Sequence, residues 1–113
     1  MKILFLGTAA CDYSPELNGK FKEKFDFDAR RSSCALINDT VLVDCGDHTV
    51  DSLRIAETDV SKITDILITH LHSDHFNVQN IKHIASLTKN KLRLWIRKDA
   101  KIPKIGNVEI VKT

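Results

Sequence analysis

Apolar and polar positions change period several times along the chain, and each change marks an element. Residues 2–6 (Lys-Ile-Leu-Phe-Leu) read as a strand ended by Gly7. Residues 33–37 (Ser-Cys-Ala-Leu-Ile), the polar turn Asn38-Asp39-Thr40 and residues 41–44 (Val-Leu-Val-Asp) together predict a β-hairpin. The apolar run then stops at Cys45-Gly46-Asp47. Asp47 is expected as the N-cap of a helix reaching about Glu57, with Val50, Leu53 and Ala56 on one face. Residues 65–69 (Asp-Ile-Leu-Ile-Thr) hold three successive aliphatics, the pattern of a strand covered on both faces. From Asn77, Val78, Ile81, Ile84 and Leu87 recur at helical spacing, with Asn90 as the expected stop. Residues 92–96 and 107–111 predict two closing strands. Strands and helices interleave, which argues for a mixed α/β layered domain.

Length and composition narrow this reading. The 113 residues, 42% hydrophobic and 28% charged, suit one small globular domain spanning residues 1–113, and not a disordered or collagenous chain. No apolar run approaches the 18 or so residues of a membrane span, and four consecutive apolar residues near Met1 are too few for a secretory signal, so a cytoplasmic location is expected by default. Three scattered cysteines, Cys11, Cys34 and Cys45, do not make a disulfide framework. Cys34 and Cys45 could face one another across the hairpin, and buried reduced thiols are favoured there over a disulfide or a ligand pair.

The net charge of +2 is unevenly spread. Residues 89–113 carry eight basic side chains against Asp99 and Glu109, whereas residues 1–88 carry nine basic against thirteen acidic. A basic C-terminal quarter could meet nucleic acid. A solvated Lys/Arg face is favoured over that, because no aromatic ladder for bases accompanies the charges. Residues 8–31 form a long connection containing Pro15, Gly19 and the pair Arg30-Arg31. Connections of that length in a compact domain are usually functional or mobile. Arg30 and Arg31 could hold a substrate phosphate by paired donors, with solvated Arg as the alternative.

The densest chemistry follows the third predicted strand region, at Thr69-His70-Leu71-His72-Ser73-Asp74-His75. Four potential metal ligands fall within six residues. If strand geometry persists through His72, His70 and His72 project to the same side and can grip one cation. Asp74 and His75 then reach a second. Neutral imidazoles favour Zn, Fe or Ni, and the carboxylate also admits Mn. Two such ions about 3.5 to 4 Å apart can share a hydroxide and clamp both oxygens of a displacement, the machinery of hydrolysis. His83, on the second predicted helix, is expected to face solvent. His48 follows a strand end on what could be the same rim. Asp44, a carboxylate ending an aliphatic strand, needs a partner. Either it accepts the second ring N–H of a ligand histidine or it makes a structural turn contact.

The segment Thr69 to His75 resembles the signature of the metallo-β-lactamase superfamily, whose fold is an αββα sandwich with a dinuclear site at one edge. Phe5-Leu6-Gly7-Thr8, Arg31-Ser32-Ser33-Cys34 and Val43-Asp44-Cys45-Gly46 resemble the corresponding pieces of its RNase Z and phosphodiesterase branch, over roughly residues 2–88. The resemblance implies a hydrolase of phosphodiester bonds, either in RNA or in small cyclic phosphates, using two divalent ions, Zn first, with Mn or Fe as alternatives. It makes His70 and His72 ligands of the first metal, Asp74 and His75 ligands of the second, and Asp44 and Thr69 the residues behind them. Asp74 is the implied acceptor of a proton from the attacking water. His48, Arg30 and Arg31 are expected on the substrate side.

The family also uses a further His, a bridging Asp and a final His well downstream. After His75 this chain has only His83. A catalytic Zn generally has three protein ligands plus water, whereas here four side chains would serve two metals. The expectation is therefore the N-terminal half of the αββα sandwich, a mixed sheet with two or three helices, inactive or nearly so alone and completed by a C-terminal half or a second chain. One sheet face would then lack its cover. The alternatives are a thioester or lactam hydrolase of the same fold, or a non-catalytic half-domain that binds a partner chain or RNA.

Overall fold

The computed structural model describes residues 1–7, 34–71 and 76–113. Six strands form one mixed sheet in sequence order: β1 (Ile3–Gly7), β2 (Cys34–Ile37), β3 (Val41–Val43), β4 (Asp65–Leu67), β5 (Leu92–Ile96) and β6 (Val108–Lys112). The β1–β2 and β2–β3 pairs are antiparallel, and β3 to β6 run parallel. The expected hairpin joins β2 to β3. Asn38 (φ 51°) and Asp39 (φ 63°) take the left-handed backbone that tight hairpin turns require and that Asn and Asp tolerate.

Parallel neighbours need crossover connections, and the two helices supply them. Helix α1 (Thr49–Ile55) joins β3 to β4 through a 3-10 turn at Val60–Lys62, and α2 (Val78–Leu87) joins β4 to β5. Both lay their apolar stripes on the same sheet face. Leu53 of α1 and Ile81, Ile84 and Ala85 of α2 form one core with Leu36, Leu42, Ile66 and Leu94, all at most 2% exposed. Those four sheet residues belong to one transverse row, Leu4, Leu36, Leu42, Ile66, Leu94 and Ile110, that crosses all six strands in register.

Because side chains alternate along a strand, the neighbouring row points to the other face. It reads Phe5, Ala35, Val43, Leu67, Trp95 and Val111, apolar across the full width. No described helix covers it, and Phe5 remains 71% exposed. Beside it Asp65 is buried at 8% exposure. Its carboxylate accepts from Trp95 Nε1 (2.9 Å), Thr64 Oγ1 (2.7 Å) and Arg93 (2.9 Å), and pairs with Arg93 Nε at 2.8 Å. Burial alone would raise the Asp65 carboxyl. The hydrogen bonds from Trp95, Thr64 and Arg93 and the Arg93 charge together outweigh burial and hold it below the ordinary carboxylate range.

Three helix boundaries differ from expectation. Asp47 does not cap α1. That position belongs to His48, with no side-chain cap bond, because the Asp47 carboxylate accepts from Asn77 Nδ2 at 2.9 Å. The helix ends at Ile55, short of Glu57. Glu57 turns left-handed (φ 55°) and the Thr58 and Glu57 N–H groups donate back to Leu53 and Arg54 carbonyls, a Schellman stop without the usual glycine. Helix α2 starts at its Asn77 cap as expected but stops at Leu87. Thr88 N–H donates to the Ile84 carbonyl and Asn107 Nδ2 to the Ala85 carbonyl, which ends the helix before Asn90.

Candidate functional site

The C-terminal ends of the parallel strands lie on one rim, where open α/β sheets place their chemistry. At this rim β3 and β4 end together. Asp44 follows β3 with φ 66°, a left-handed conformation that bends the chain out of the ladder. Its N–H still donates to the Leu67 carbonyl at 2.7 Å, the last rung between the two strands. The pairing of β4 with β3 therefore stops at Leu67, two residues short of the expected Thr69; Ile68 N–H still donates to the Trp95 carbonyl of β5 at 2.9 Å, and strand geometry does not persist into His70.

What holds the next residues is the Asp44 carboxylate. Its Oδ1 accepts from the Thr69 N–H at 2.7 Å, and the Thr69 hydroxyl lies 2.7 Å from Oδ2 and 2.9 Å from Oδ1. Asp44 is only 5% exposed, so this pairing supplies the partners that a buried carboxylate needs. The hydroxyl has a single proton, committed to a carboxylate that can only accept. Its oxygen is therefore an acceptor towards His70 Nδ1, 3.3 Å away. In that contact His70 Nδ1 is the donor when the ring carries its proton there. The three side chains form a carboxylate–hydroxyl–imidazole chain of contacts that ties His70 to the strand rim. Of the two expectations for Asp44, the structural contact is seen, in the bonds from Thr69.

The far end of the motif is fastened beside the near end. Phe76 forms an isolated parallel bridge with Cys45 and packs against the core, and Asn77 N–H donates to the Cys45 carbonyl at 2.7 Å. Asn80, on the first turn of α2, donates from Nδ2 to the Gly46 carbonyl (2.8 Å) and the Asp47 carbonyl (3.2 Å). Sequence reading found Asn77 as a helix start but missed Asn80, whose partners stand more than thirty positions away.

The other expected residues distribute as follows. His48 is half-buried at the start of α1, four positions past Asp44 on this rim. His83 faces solvent on α2, as expected, and borders a largely apolar cleft of about 550 Å3 between the helices. That cleft contains none of the expected site residues. His72, Asp74, His75, Arg30, Arg31 and Cys11 lie outside the described residues. Among the described residues no three His, Cys, Asp or Glu side chains converge to hold a metal ion.

Cys34 and Cys45 are free and buried, as the sequence suggested. Burial, outweighing a hydrogen bond with Thr49, pushes the Cys34 thiol up to about 12, and burial drives Cys45 well above its ordinary value. Both are thiols at neutral pH, and a metal ligand would have to be thiolate.

Comparison with known proteins places this geometry. Residues 1–102 match the family model described as Anti-Pycsar protein Apyc1. The zinc phosphodiesterase ELAC protein 1 of Bos taurus is 35% identical over 80 residues, covering 67% of this chain and 18% of that protein. Ribonuclease Z of Archaeoglobus fulgidus is 37% identical over 75 residues, 66% of this chain and 21% of that protein. The chain therefore spans about a fifth of the length of these curated relatives. Human tRNase Z, short form, superposes with a TM-score of 0.61 at 29% identity over 84% of this chain and 33% of its own. The metallo-β-lactamase fold protein YhfI of Bacillus subtilis superposes at 0.69 with 14% identity over 98% of this chain and 46% of its own. By family match and by fold, the chain belongs to the Anti-Pycsar protein Apyc1 family and has the architecture of the metallo-β-lactamase fold.

Proposed function

We propose that these 113 residues are the N-terminal half of a dinuclear metal-dependent hydrolase of phosphodiester bonds. The observation that supports the reading is the Asp44–Thr69–His70 chain of contacts at the strand rim; with His70 Nδ1 donating to Thr69, Nε2 is the proposed metal-binding atom. The donor set suits the group: imidazole nitrogen and carboxylate oxygen are the ligands that zinc and its first-row neighbours accept. His70 and His72 hold the first ion, and Asp74 and His75 the second. With both ions bound, the pair supplies a hydroxide at neutral pH and charge stabilisation for the displacement.

The chain's own residues do the rest. Asp74 accepts a proton from the attacking water, Thr69 keeps His70 in one tautomer and orientation, and Arg30, Arg31 and His48 bind the oxygens of a substrate phosphate. The substrate is an RNA or a small cyclic phosphate, a reading supported by relatives named zinc phosphodiesterase and ribonuclease Z. Further ligands come from a C-terminal half or a second chain, whose sheet covers the apolar row from Phe5 to Val111. Two ligands per ion within this chain predict weak metal binding by it alone.

The test measures zinc content and hydrolysis of bis(p-nitrophenyl) phosphate on the 113 residues and on any longer chain that carries them, each with and without His72→Ala. Stoichiometric zinc and turnover in the longer chain, both lost on substitution, are expected. Undiminished zinc in the His72→Ala protein removes His72 from the site.

A further inference from the structure

The motif is tied down by two neighbouring residues. Its first end is Thr69, held by the side chain of Asp44. Its second end is Phe76-Asn77, held by the backbone of Cys45 through the bridge and the 2.7 Å bond from Asn77 N–H. Residues 70–75 thus leave from and return to one dipeptide, Asp44-Cys45. The separation of the two ends is then set by how firmly that dipeptide and the turn after it are held.

Three side chains immobilise the turn. Thr49 Oγ1 accepts the Gly46 N–H at 3.0 Å, and Asn77 Nδ2 donates to the Asp47 carboxylate at 2.9 Å. Asn80 bonds the turn's backbone carbonyls from across the fold, placing one Nδ2 group between the oxygens of Gly46 and Asp47. Its own N–H is held by Asn77 Oδ1 at 3.0 Å, so the clasp and the helix cap share one hydrogen-bonded unit. The Thr49 side chain acts on an N–H and Asn77 on a side chain, and the Thr49 N–H reaches the Gly46 carbonyl only at the longer distance of 3.3 Å, from within the turn itself.

We propose that Asn80 is a positioning residue for the metal motif: its amide fixes the Gly46-Asp47 turn and through it the attachment of Phe76-Asn77 to Cys45. The consequence for metal binding rests on the reading of the motif given above, but the clasp itself does not, and the two are measured separately.

Asn80→Asp is the informative variant. It preserves size and removes the donors, and a carboxylate in the first turn of a helix is favoured by the helix dipole, so α2 itself is not weakened. Asn80→Ala serves as a second variant should the acid disturb the turn by repulsion. Residue-resolved amide exchange on the metal-free 113-residue chain is expected to show the Asn77 amide exchanging at least about tenfold faster in both variants, with the central-sheet amides of Ile66 and Leu94 unchanged. Equal acceleration across the sheet, or an unchanged Asn77 amide, overturns the proposal.

Cobalt titration of the same proteins, followed by its visible absorption, is expected to show roughly tenfold weaker binding in both variants, the lower end of what loss of an outer partner costs. Faster Asn77 exchange with unaltered cobalt affinity overturns the positioning role. Because two ligands per ion bind weakly, the titration is carried to a large excess of cobalt; absence of binding in the unsubstituted chain even there counts against the metal reading, and the exchange result still decides the clasp.

Discussion

Replacing Asp44 by Asn tests the relay with little change of shape. Asn tolerates left-handed backbone as Asp does, so the φ of 66° adds no new penalty. The Thr69 N–H, 2.7 Å from Oδ1, requires an acceptor there. The amide oxygen therefore takes that place and the NH2 group faces Thr69 Oγ1 across the 2.7 Å gap now spanned to Oδ2. The amide now donates where the carboxylate accepted, and the threonine proton is left to divide between the amide oxygen, 2.9 Å away, and His70 Nδ1, 3.3 Å away. The share directed to Nδ1 raises the population of the Nε2–H tautomer of His70, which blocks the nitrogen proposed to bind metal.

Hydrogen bonds to a charged acceptor contribute about 1.5–3 kcal/mol and neutral ones about 0.5–1.5. Discounted for the exposure of Thr69 to water, the exchange predicts a loss of about 1–2 kcal/mol, or roughly 5–10 °C in Tm for a domain of this size. Zinc affinity falls by about 10- to 100-fold. Long-range nitrogen–proton spectra of the imidazole rings in the metal-free protein read the tautomer directly, and calorimetry reads the stability. A His70 tautomer population identical in the folded Asp44→Asn and unsubstituted proteins refutes the relay.

Three further outcomes follow from the fold. Asp65→Asn removes a carboxylate held below its ordinary range, so it is expected to destabilise at neutral pH. Because the folded value is depressed, that stabilisation is present above the unfolded value of about 3.9 and is lost as pH falls through the lower folded value. The stability gap between the two proteins, followed by urea unfolding, should close below about pH 4, and a gap constant down to pH 2 would contradict the assignment. Ile66→Ala, at 0% exposure in β4, is expected to cost about 2–5 kcal/mol, whereas Phe5→Ala on the open face changes stability by no more than about 0.5 kcal/mol. Equal losses in chemical denaturation would contradict the one-sided core. Cys34 and Cys45 should resist thiol reagents at pH 7 in the native protein and react once it is unfolded; rapid native labelling of either would contradict their burial.

The strands were legible because period-two alternation and aliphatic runs are local signals, and the hairpin because Asn38-Asp39 suits left-handed backbone. The errors came where a distant partner decided. Asp47 has the residue type of an N-cap, but Asn77, thirty positions on, engages its carboxylate. The C-terminus of α1 was hidden because Glu57, not glycine, takes the left-handed position. In the site, the ligand-rich segment is a local pattern and was visible at once. Its support from Asp44, 25 residues earlier, was foreseen only as an open alternative, and the Asn80 clasp was not foreseen at all. Asp65 looked like the start of a buried strand, and nothing local indicated that Trp95 and Arg93 would meet it.

The open face bears on how the proposed site would be completed. Its apolar row spans every strand, so a covering sheet gains burial across the whole width. The one buried charge beside that row, Asp65, already has donors from Thr64, Arg93 and Trp95. Covering the face then desolvates a paired carboxylate and not an isolated one, which removes the largest penalty such burial could carry. On the proposed reading, the incoming sheet delivers its ligands to the rim where β3 and β4 end, because that is the edge at which Thr69 and His70 are already held. Covering the face and completing the metal centre are then one event. Metal affinity and folding stability of the completed protein should rise together, and Phe5→Lys on the covered face should lower both, while leaving the stability of the 113 residues alone nearly unchanged.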